Sequence, residues 1–320
     1  MSDTTKDPRP STGPAGVSAG AALADADTDG SPPSRPAPQR ALRWFRQVGW
    51  RYLVVAAALF FALFPAVWVA SAAFNPTGSI AGQQLIPDPV STVNFDVLFA
   101  TPFWRWFANS MIVAGVTAIG STFLCALAAY VYSRMRFTGR RVSMLGLLIL
   151  QMLPQFLAII ALYLLMISIA RYFPTIGLNS LAGLIAIYLG GALGLNTWLM
   201  KGFFDTVPRD LDESAKVDGA SHVQVFFTMV LPLAAPILAV VTLLSFIVAI
   251  NDFIVQSVLL TDEQQFTLAV GLFRFIAEDY GARWGPFAAG ALLAGAPIVV
   301  LFLFLQRYIA SGLIQGAVKG

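Results

Sequence analysis

Six stretches of the chain contain no Asp, Glu, Lys or Arg, and this feature most restricts what the chain can fold into. A helix rises 1.5 Å per residue, so about 20 residues cross the ~30 Å hydrocarbon core of a bilayer. Only 12% of all residues are charged, about half of the usual share in a soluble domain. We therefore exclude a soluble enzyme and predict six transmembrane helices, at about 52–74, 110–132, 142–170, 181–200, 229–250 and 285–306.

The basic residues between these helices indicate their orientation. If the amino terminus is cytoplasmic, all but four of the 20 Lys and Arg residues lie on the cytoplasmic side, and only Arg105, Arg171, Arg274 and Arg283 lie outside. Such a distribution is what the positive-inside rule requires, and the opposite topology would invert it. We expect both termini to be cytoplasmic.

The first forty residues differ from the rest of the chain. Residues 1–38 hold seven of the 19 prolines and no aromatic residue, so they have little apolar surface to bury. We expect a disordered cytoplasmic tail over 1–40 and a six-helix transmembrane domain over 41–320. Cys125, the single cysteine, lies in the second predicted helix and is expected to be an inert thiol.

The longest predicted cytoplasmic loop, residues 201–228, has the pattern of two short helices around a turn at Gly219. Ser221 and Gln224 have the spacing of a capping box at the start of the second helix. Since the loop is rich in charge, one interpretation is a solvated connection between two spans. Pro154, in the third predicted helix, is expected to kink that helix.

A second interpretation of the loop is a docking surface for another protein. Ala215 and Gly219 are four residues apart, so a helix containing both would present a small, closely approachable face. Glu213 and Asp218 would flank that face with negative charge. A surface of this kind suits insertion into a groove.

Several motifs resemble the membrane subunits of binding-protein-dependent ABC importers. Glu213-Ser214-Ala215, Asp218-Gly219-Ala220 and Leu231-Pro232 resemble the EAA motif of that family, with Ser214 in place of the usual Ala. Other segments resemble the sugar-importer branch, and within it the MalG type of maltose and maltodextrin importers: Asn109-Ser110, Ala128-Ala129-Tyr130, 136–140, 174–179, 188–191, 267–271 and 316–320.

The resemblance implies an all-α integral membrane protein with a six-helix type I permease domain and a cytoplasmic coupling helix. It implies a bacterial plasma membrane location and uptake of maltose or maltodextrin. It also implies a MalF-like second permease subunit, two MalK-like cytoplasmic ATPase subunits and an extracytoplasmic sugar-binding protein. The residues assigned to ATPase coupling on this basis are Glu213, Ser214, Ala215, Asp218, Gly219 and Ala220.

The chain itself is expected to be non-catalytic. It contains no Gly-Lys-Ser or Gly-Lys-Thr, so a phosphate-binding loop of the Walker type is absent from the sequence. We expect ATP and magnesium to be bound by the partner ATPases, and no cofactor, metal or catalytic residue in this chain. The lone histidine, His222, has no Cys or carboxylate cluster of metal-ligand spacing around it, which also argues against a membrane enzyme.

Two outside segments, 75–109 and 251–284, are long enough to bind a sugar-binding protein. In the second, Glu278, Asp279, Tyr280 and Arg283 are the predicted contacts, with an ordinary surface helix and turn as the alternative.

Gln151, Asn251 and Asp252 are the polar candidates for a sugar pathway, and each also fits a helix-packing or helix-end role. A permease for another sugar, such as trehalose, a glycoside or a sugar alcohol, is the main alternative function. An ion-coupled secondary transporter would normally carry ionisable residues within its spans, and the predicted spans have none.

Overall fold

The structure, a computed structural model, describes residues 48–77, 83–277 and 283–317. Within these ranges the regular structure is helical and includes no strand. The described residues divide into two compact units, with the boundary between Leu59 and Phe60, inside the first helix. The tail predicted over 1–40 lies outside the described residues.

The helices follow in this order along the chain. They are α1 (Trp50–Ala73), α2 (Val93–Phe99), α3 (Phe103–Arg134), α4 (Arg140–Met152), α5 (Ile159–Ala170), α6 (Leu181–Thr206), α7 (Arg209–Val217), α8 (His222–Val225), α9 (Leu231–Leu233), α10 (Ala235–Asn251), α11 (Ile254–Leu259), α12 (Leu268–Phe273) and α13 (Trp284–Ala317). A 3₁₀ turn at Gln155–Ala158 leads into α5, and a π-helical turn at Phe226–Val230 joins α8 to α9.

Within the described residues, four helices are long and apolar enough to cross a membrane: α1, α3, α6 and α13 as far as Ala310. They correspond to the first, second, fourth and sixth predicted helices. The other two predicted helices are bent pairs, so the structure has up to six spans if each pair counts as one. Helix α3 is longer than predicted at both ends and includes Arg105 and Arg134, because the prediction was limited to residues without charge.

The third predicted helix is broken at Pro154 rather than merely kinked. Helix α4 ends at Met152, and the segment 156–170 that follows lies at 86° to it. Proline disfavours the helical conformation of the residue before it, and Leu153 accordingly has an extended backbone, with ψ 130°.

The fifth predicted helix is bent by 79° between the segments 222–233 and 235–251. Pro236 lacks the N–H that would donate to the carbonyl of Pro232, so the helical hydrogen-bond ladder cannot continue across Ala234. Ala234 has ψ 4°, which marks the break. The bend turns the chain from α8 and α9 into α10.

Helix α3 packs along α6 and α10, and α10 packs on α13. Small side chains are buried along α3, among them Ala114, Ala118 and Ala126, and these allow neighbouring helices to approach closely. Toward the carboxyl end of α3, a core cluster contains the fully buried Cys125 together with Tyr130, Met200, Phe204 and Phe226.

Large apolar side chains cover much of the surface. Phe61 of α1 is 83% exposed and Met152 of α4 is 81% exposed, and many neighbours on both helices are similar. A surface of this extent is not compatible with water on all sides. Together with the long apolar helices it identifies an integral membrane protein.

Candidate functional site

The chain between α6 and α8 contains the predicted turn. Gly219 has a positive φ of 86°, in the left-handed region that favours glycine. Its N–H donates to the carbonyl of Lys216 (3.0 Å), and the N–H of Ala220 donates to the carbonyl of Ala215 (2.9 Å). These two bonds form the glycine-dependent cap that ends many helices. The predicted turn at Gly219 is confirmed, and it fixes the direction in which the chain leaves α7.

Ser221 caps α8 as predicted. Its hydroxyl accepts from the N–H of Gln224 (3.3 Å), and the Gln224 side-chain oxygen accepts from the N–H of Ser221 (2.8 Å). This reciprocal pair is the capping box. The hydroxyl of Tyr130 donates to the carbonyl of His222 (3.2 Å), which ties α8 to α3.

Residues 207–222, the candidate coupling segment, expose some of the predicted coupling residues and bury others. Glu213, Ser214, Asp218 and Gly219 are exposed, Ala220 is half-buried, and Ala215 is only 5% exposed.

The prediction that Ala215 and Gly219 together form one exposed small face is wrong. Helix α7 ends at Val217, so Gly219 lies in the turn beyond the helix. Ala215 instead packs into the core cluster beside Tyr130 and Phe226.

The outer side of α7 carries two exposed apolar residues, Leu211 and Val217, that the sequence analysis did not single out. Leu211, Ser214 and Val217 are spaced by three residues, so they lie along one side of the helix. Leu211 is 41% exposed and Val217 is 88% exposed. The exposed side of the coupling segment therefore combines apolar side chains with the carboxylates of Glu213 and Asp218.

The inner side of α7 holds a buried ion pair. The Nε atom of Arg134, the last residue of α3, is 2.5 Å from the Oδ2 atom of Asp212, and the two side chains are 4% and 7% exposed. The Arg134 guanidinium also donates to the carbonyl of Val207 (3.0 Å). Arg209 donates to the carbonyl of Ser133 (3.1 Å). These contacts join the coupling segment to the ends of α3 and α6.

The sequence analysis missed this pair, although one local signal was present. Asp212 precedes Ala215 by three residues, so any helix that buries Ala215 turns Asp212 inward as well. In the sequence, Arg134 was recognised only as one of the basic residues that indicate the orientation of the spans. Nothing in the sequence relates two residues that are so far apart along the chain.

The three predicted pathway residues have separate structural partners. The Gln151 amide donates to the carbonyl of Gly191 (2.8 Å). The Asp252 carboxylate accepts from the hydroxyl of Tyr188 (2.7 Å), and the Asn251 amide donates within its own helix. Each residue therefore has the helix-packing or helix-end contact that the sequence left open as an alternative.

Residues 252–277, the distal loop, are bound at the opposite end of α3 by the exposed Arg105, whose Nε donates to the carbonyl of Gln264 (3.0 Å), and by neutral side chains. The Asn109 amide donates to the carbonyls of Gln264 (3.0 Å) and Phe266 (2.9 Å). The Asn179 side-chain oxygen accepts from the backbone N–H groups of residues 261 and 262, at 3.1 and 3.0 Å. The distal loop is thus fixed to both α3 and the start of α6.

Among the predicted contacts for a binding protein, Glu278, Asp279 and Tyr280 lie outside the described residues. Arg283 is described, and its N–H donates to the carbonyl of Phe275 (2.7 Å). This bond brings the two flanks of residues 276–282 together. The distal loop therefore ends beside the start of α13.

Comparison with known proteins places these features in a family. Residues 121–315 match the family model of the binding-protein-dependent transport system inner membrane component. Across 273 residues the chain is 41% identical to the maltose/maltodextrin transport system permease protein MalG of Salmonella typhimurium, covering 81% of this chain and 91% of that protein.

Two permeases of Bacillus subtilis are similarly close. The galactooligosaccharides transport system permease protein GanQ is 40% identical over 273 residues, which is 84% of this chain and 94% of that protein. The maltodextrin transport system permease protein MdxG is 40% identical over 259 residues, which is 81% of this chain and 91% of that protein.

A solved structure shares the fold at lower identity. A bacterial ABC transporter involved in the import of the acidic polysaccharide alginate has a chain that superposes with a TM-score of 0.66 at 20% identity, covering 87% of this chain and 99% of that chain. A second structure, the alginate transporter in complex with an alginate pentasaccharide-bound periplasmic protein, gives a TM-score of 0.57. The chain therefore belongs to the binding-protein-dependent transport system inner membrane components, as its sequence motifs predict.

Proposed function

We propose that this chain is the permease subunit of an ATP-driven importer that takes up maltose or maltodextrin delivered by an extracytoplasmic sugar-binding protein. The observation that carries the proposal is the 41% identity with MalG across 91% of that protein. MdxG, a maltodextrin permease by name, supports the same substrate class.

A second candidate substrate class has its own support. GanQ is a galactooligosaccharide permease by name, and it matches this chain as closely as MalG does. Both candidates are short sugar oligomers, so the transport mechanism is the same and only the sugar differs.

In this proposal the exposed side of the coupling segment contacts a partner ATPase. Glu213, Ser214, Asp218 and Gly219 would meet the ATPase directly, because their positions are exposed. Ala215 and Ala220 would hold the segment in place from within. ATP and magnesium would be bound by two MalK-like ATPase subunits, and this chain would supply only the mechanical connection.

The orientation follows from the same assignment. The coupling segment and both termini would lie on the cytoplasmic side of the bacterial plasma membrane, which agrees with the distribution of Lys and Arg. The distal loop would then face outward, with residues 278–280 and Arg283 toward the sugar-binding protein. The exposed apolar side of α4 and α5 would contact lipid and a MalF-like second permease subunit.

Sugar would pass near the break in the third predicted span and the end of α10. Gln151 and Asn251 have exposed side chains in these two places, so we propose them as sugar contacts. Asp252, held by the hydroxyl of Tyr188, would set the position of the chain end that carries Asn251.

The test is ATP hydrolysis by the complex that copurifies with the tagged chain, reconstituted in lipid with a sugar-binding protein. Maltotriose and a galactooligosaccharide are added separately. Stimulation by maltotriose supports the first substrate class, and stimulation by the galactooligosaccharide alone replaces it with the second. Absence of any copurifying ATPase would contradict the proposed function.

Two variants test the coupling segment within that complex. Gly219→Pro cannot adopt the positive φ, and Glu213→Lys reverses an exposed charge, so both should remain in the membrane but recruit less ATPase and transport less sugar. Asp96→Lys reverses an exposed charge on α2, at the other end of α3, and is the matched control. It should recruit a normal amount of ATPase.

A further inference from the structure

The Arg134–Asp212 pair lies where three helices end or begin. Arg134 is the last residue of α3, the carbonyl that it binds belongs to Val207 directly after α6, and Asp212 is on α7. Both side chains are more than nine-tenths buried. A single guanidinium therefore joins the end of α3 to α7 and to the residue that directly follows α6.

A second chain of hydrogen bonds runs through the same junction. The Ser133 hydroxyl donates to the Asp205 carboxylate on α6 (2.7 Å), and the Ser133 carbonyl accepts from Arg209 of α7 (3.1 Å). The three elements are thus joined by side chains of α3 and α7 in both directions. No other buried ion pair occurs among the residues whose side chains the structure describes.

Helix α7 depends on this junction for its position. It has nine residues, and a helix of that length is marginal in water without tertiary contacts. Asp212 and Ala215 are its two buried residues. The contact of Ala215 is a methyl group against the core cluster, so the directional contacts of the helix are the ion pair and the hydrogen bond from Arg209 to the Ser133 carbonyl, and only the ion pair is made by a buried residue of the helix.

The burial of two charges requires an explanation, since an apolar pair of similar size would often stabilise the fold as well or better. The Oδ1 atom of Asp212 is buried and accepts no hydrogen bond from the part of the chain that the structure describes. The carboxylate is therefore positioned for Arg134 alone. Such a pair fixes one arrangement of two elements, because neither charge forms a second ion pair with the described residues.

We propose that Arg134 and Asp212 are positioning residues that make α7 and the ends of α3 and α6 move as one body during transport. The inference rests on the proposed function, because it assigns the route by which force on the coupling segment reaches the spans. Force from the ATPase enters at the exposed side of α7. It leaves through Asp212 into Arg134, and from Arg134 into α3 and the carbonyl after α6.

The test compares three variants in the reconstituted complex: Asp212→Asn, Arg134→Met and the double variant Arg134→Met with Asp212→Leu. The measurement is the number of sugar molecules transported per ATP hydrolysed. This ratio does not depend on how much complex assembles, so a merely lower yield of folded protein leaves it unchanged. Lys201→Gln is the matched control, since it removes the charge from a partly exposed ion pair between two residues of α6 and leaves the hydrogen bond from Ser133 to Asp205 in place.

Each single variant should lower the ratio by about tenfold, because it leaves one buried charge without its partner and frees α7 to shift. The double variant should recover at least about half of the ratio, because an apolar contact of similar size restores the junction. Lys201→Gln should leave the ratio unchanged.

Two outcomes would overturn the proposal. Single variants with the wild-type ratio would show that force reaches the spans without the pair. A double variant that loses as much as the two single variants combined would show that the residues do not act as a unit. Suppose that the wild-type complex responds to sugar and that Gly219→Pro loses that response. Either of these two outcomes would then contradict the role proposed for the ion pair and leave the proposed function intact. A wild-type complex without any response removes the function itself.

Discussion

The two ends of α3 hold their neighbouring segments by different chemistry. At the carboxyl end, Arg134 forms a buried ion pair with Asp212 of the coupling segment. At the amino end, the neutral amide of Asn109 donates to two backbone carbonyls of the distal loop. Helix α3 has 32 residues, which separates the two ends by about 48 Å.

The difference predicts how the free energy of unfolding responds to single substitutions at each end of α3. A buried charge requires its partner, so loss of either member of the ion pair exposes the cost of burying the other. A neutral side chain that binds backbone carbonyls contributes to stability through each hydrogen bond separately. The coupling end should therefore respond steeply to single substitutions, and the distal end should respond gradually.

The largest effect is expected from Arg134→Met. It leaves Asp212 buried without a counter-charge, so the free energy of unfolding should fall by about 3–5 kcal/mol. The measurement is reversible unfolding of the purified protein in mixed detergent micelles. Lys201→Gln, in a partly exposed ion pair, should lose less than about 1 kcal/mol.

A smaller effect is expected from Asn109→Ala at the other end. The side chain is only 8% exposed, and its removal leaves the carbonyl of Phe266 without its side-chain donor, whereas the carbonyl of Gln264 keeps the bond from Arg105. The free energy of unfolding should fall by about 1–2 kcal/mol in the same assay. The control is Asn251→Ala, whose exposed amide bonds within its own helix. A loss of unfolding free energy for Asn109→Ala as large as that for Arg134→Met would contradict the expected difference between the two ends of α3.

Helix caps should show no difference between the two ends, because they are neutral in both places. Ser221→Ala removes the cap of α8. Ser180→Ala removes the cap of α6, in which the Ser180 hydroxyl accepts from the N–H of Gly183. Each variant should lose about 1 kcal/mol of unfolding free energy. Losses that differ clearly would mean that location, rather than charge, sets the sensitivity of each end.

The smallest effect is expected from Arg274→Gln in the distal loop. Arg274 and Glu263 form an ion pair at 2.8 Å, but their side chains are 57% and 46% exposed. Water and salt screen such a pair, so the loss should be below about 1 kcal/mol and should become smaller with added salt. A loss comparable to that of Arg134→Met would show that burial is not what distinguishes the two ion pairs.

The sequence was sufficient for features that depend on nearby residues. The absence of charge located the four long helices, because a bilayer excludes charge along the whole length of a span. The turn at Gly219 and the capping box of Ser221 and Gln224 followed from local backbone and side-chain requirements. The EAA-like motif was sufficient to identify the family.

Features that depend on distant residues could not be predicted. The pairing of Arg134 with Asp212 requires knowledge of how α3 and α7 pack, and the spacing of Asp212 and Ala215 indicates only that Asp212 turns inward, not which residue it meets. The orientation of Ala215 was predicted wrongly for the same reason, since the packed side of a short helix is decided by its neighbours. The size of the break at Pro154 also depends on packing, because proline disfavours the helix but does not set an angle.

The enclosure of Cys125 has a practical consequence for mapping this protein in a living membrane. It is the single cysteine of the chain and its side chain is fully buried, so a thiol-directed label has no accessible target in the native sequence. A cysteine introduced at Val217, where the native side chain is 88% exposed, would stand alone as a reactive site. Labels that do and do not cross the bilayer would then assign the coupling segment to one side of the membrane without any prior cysteine removal.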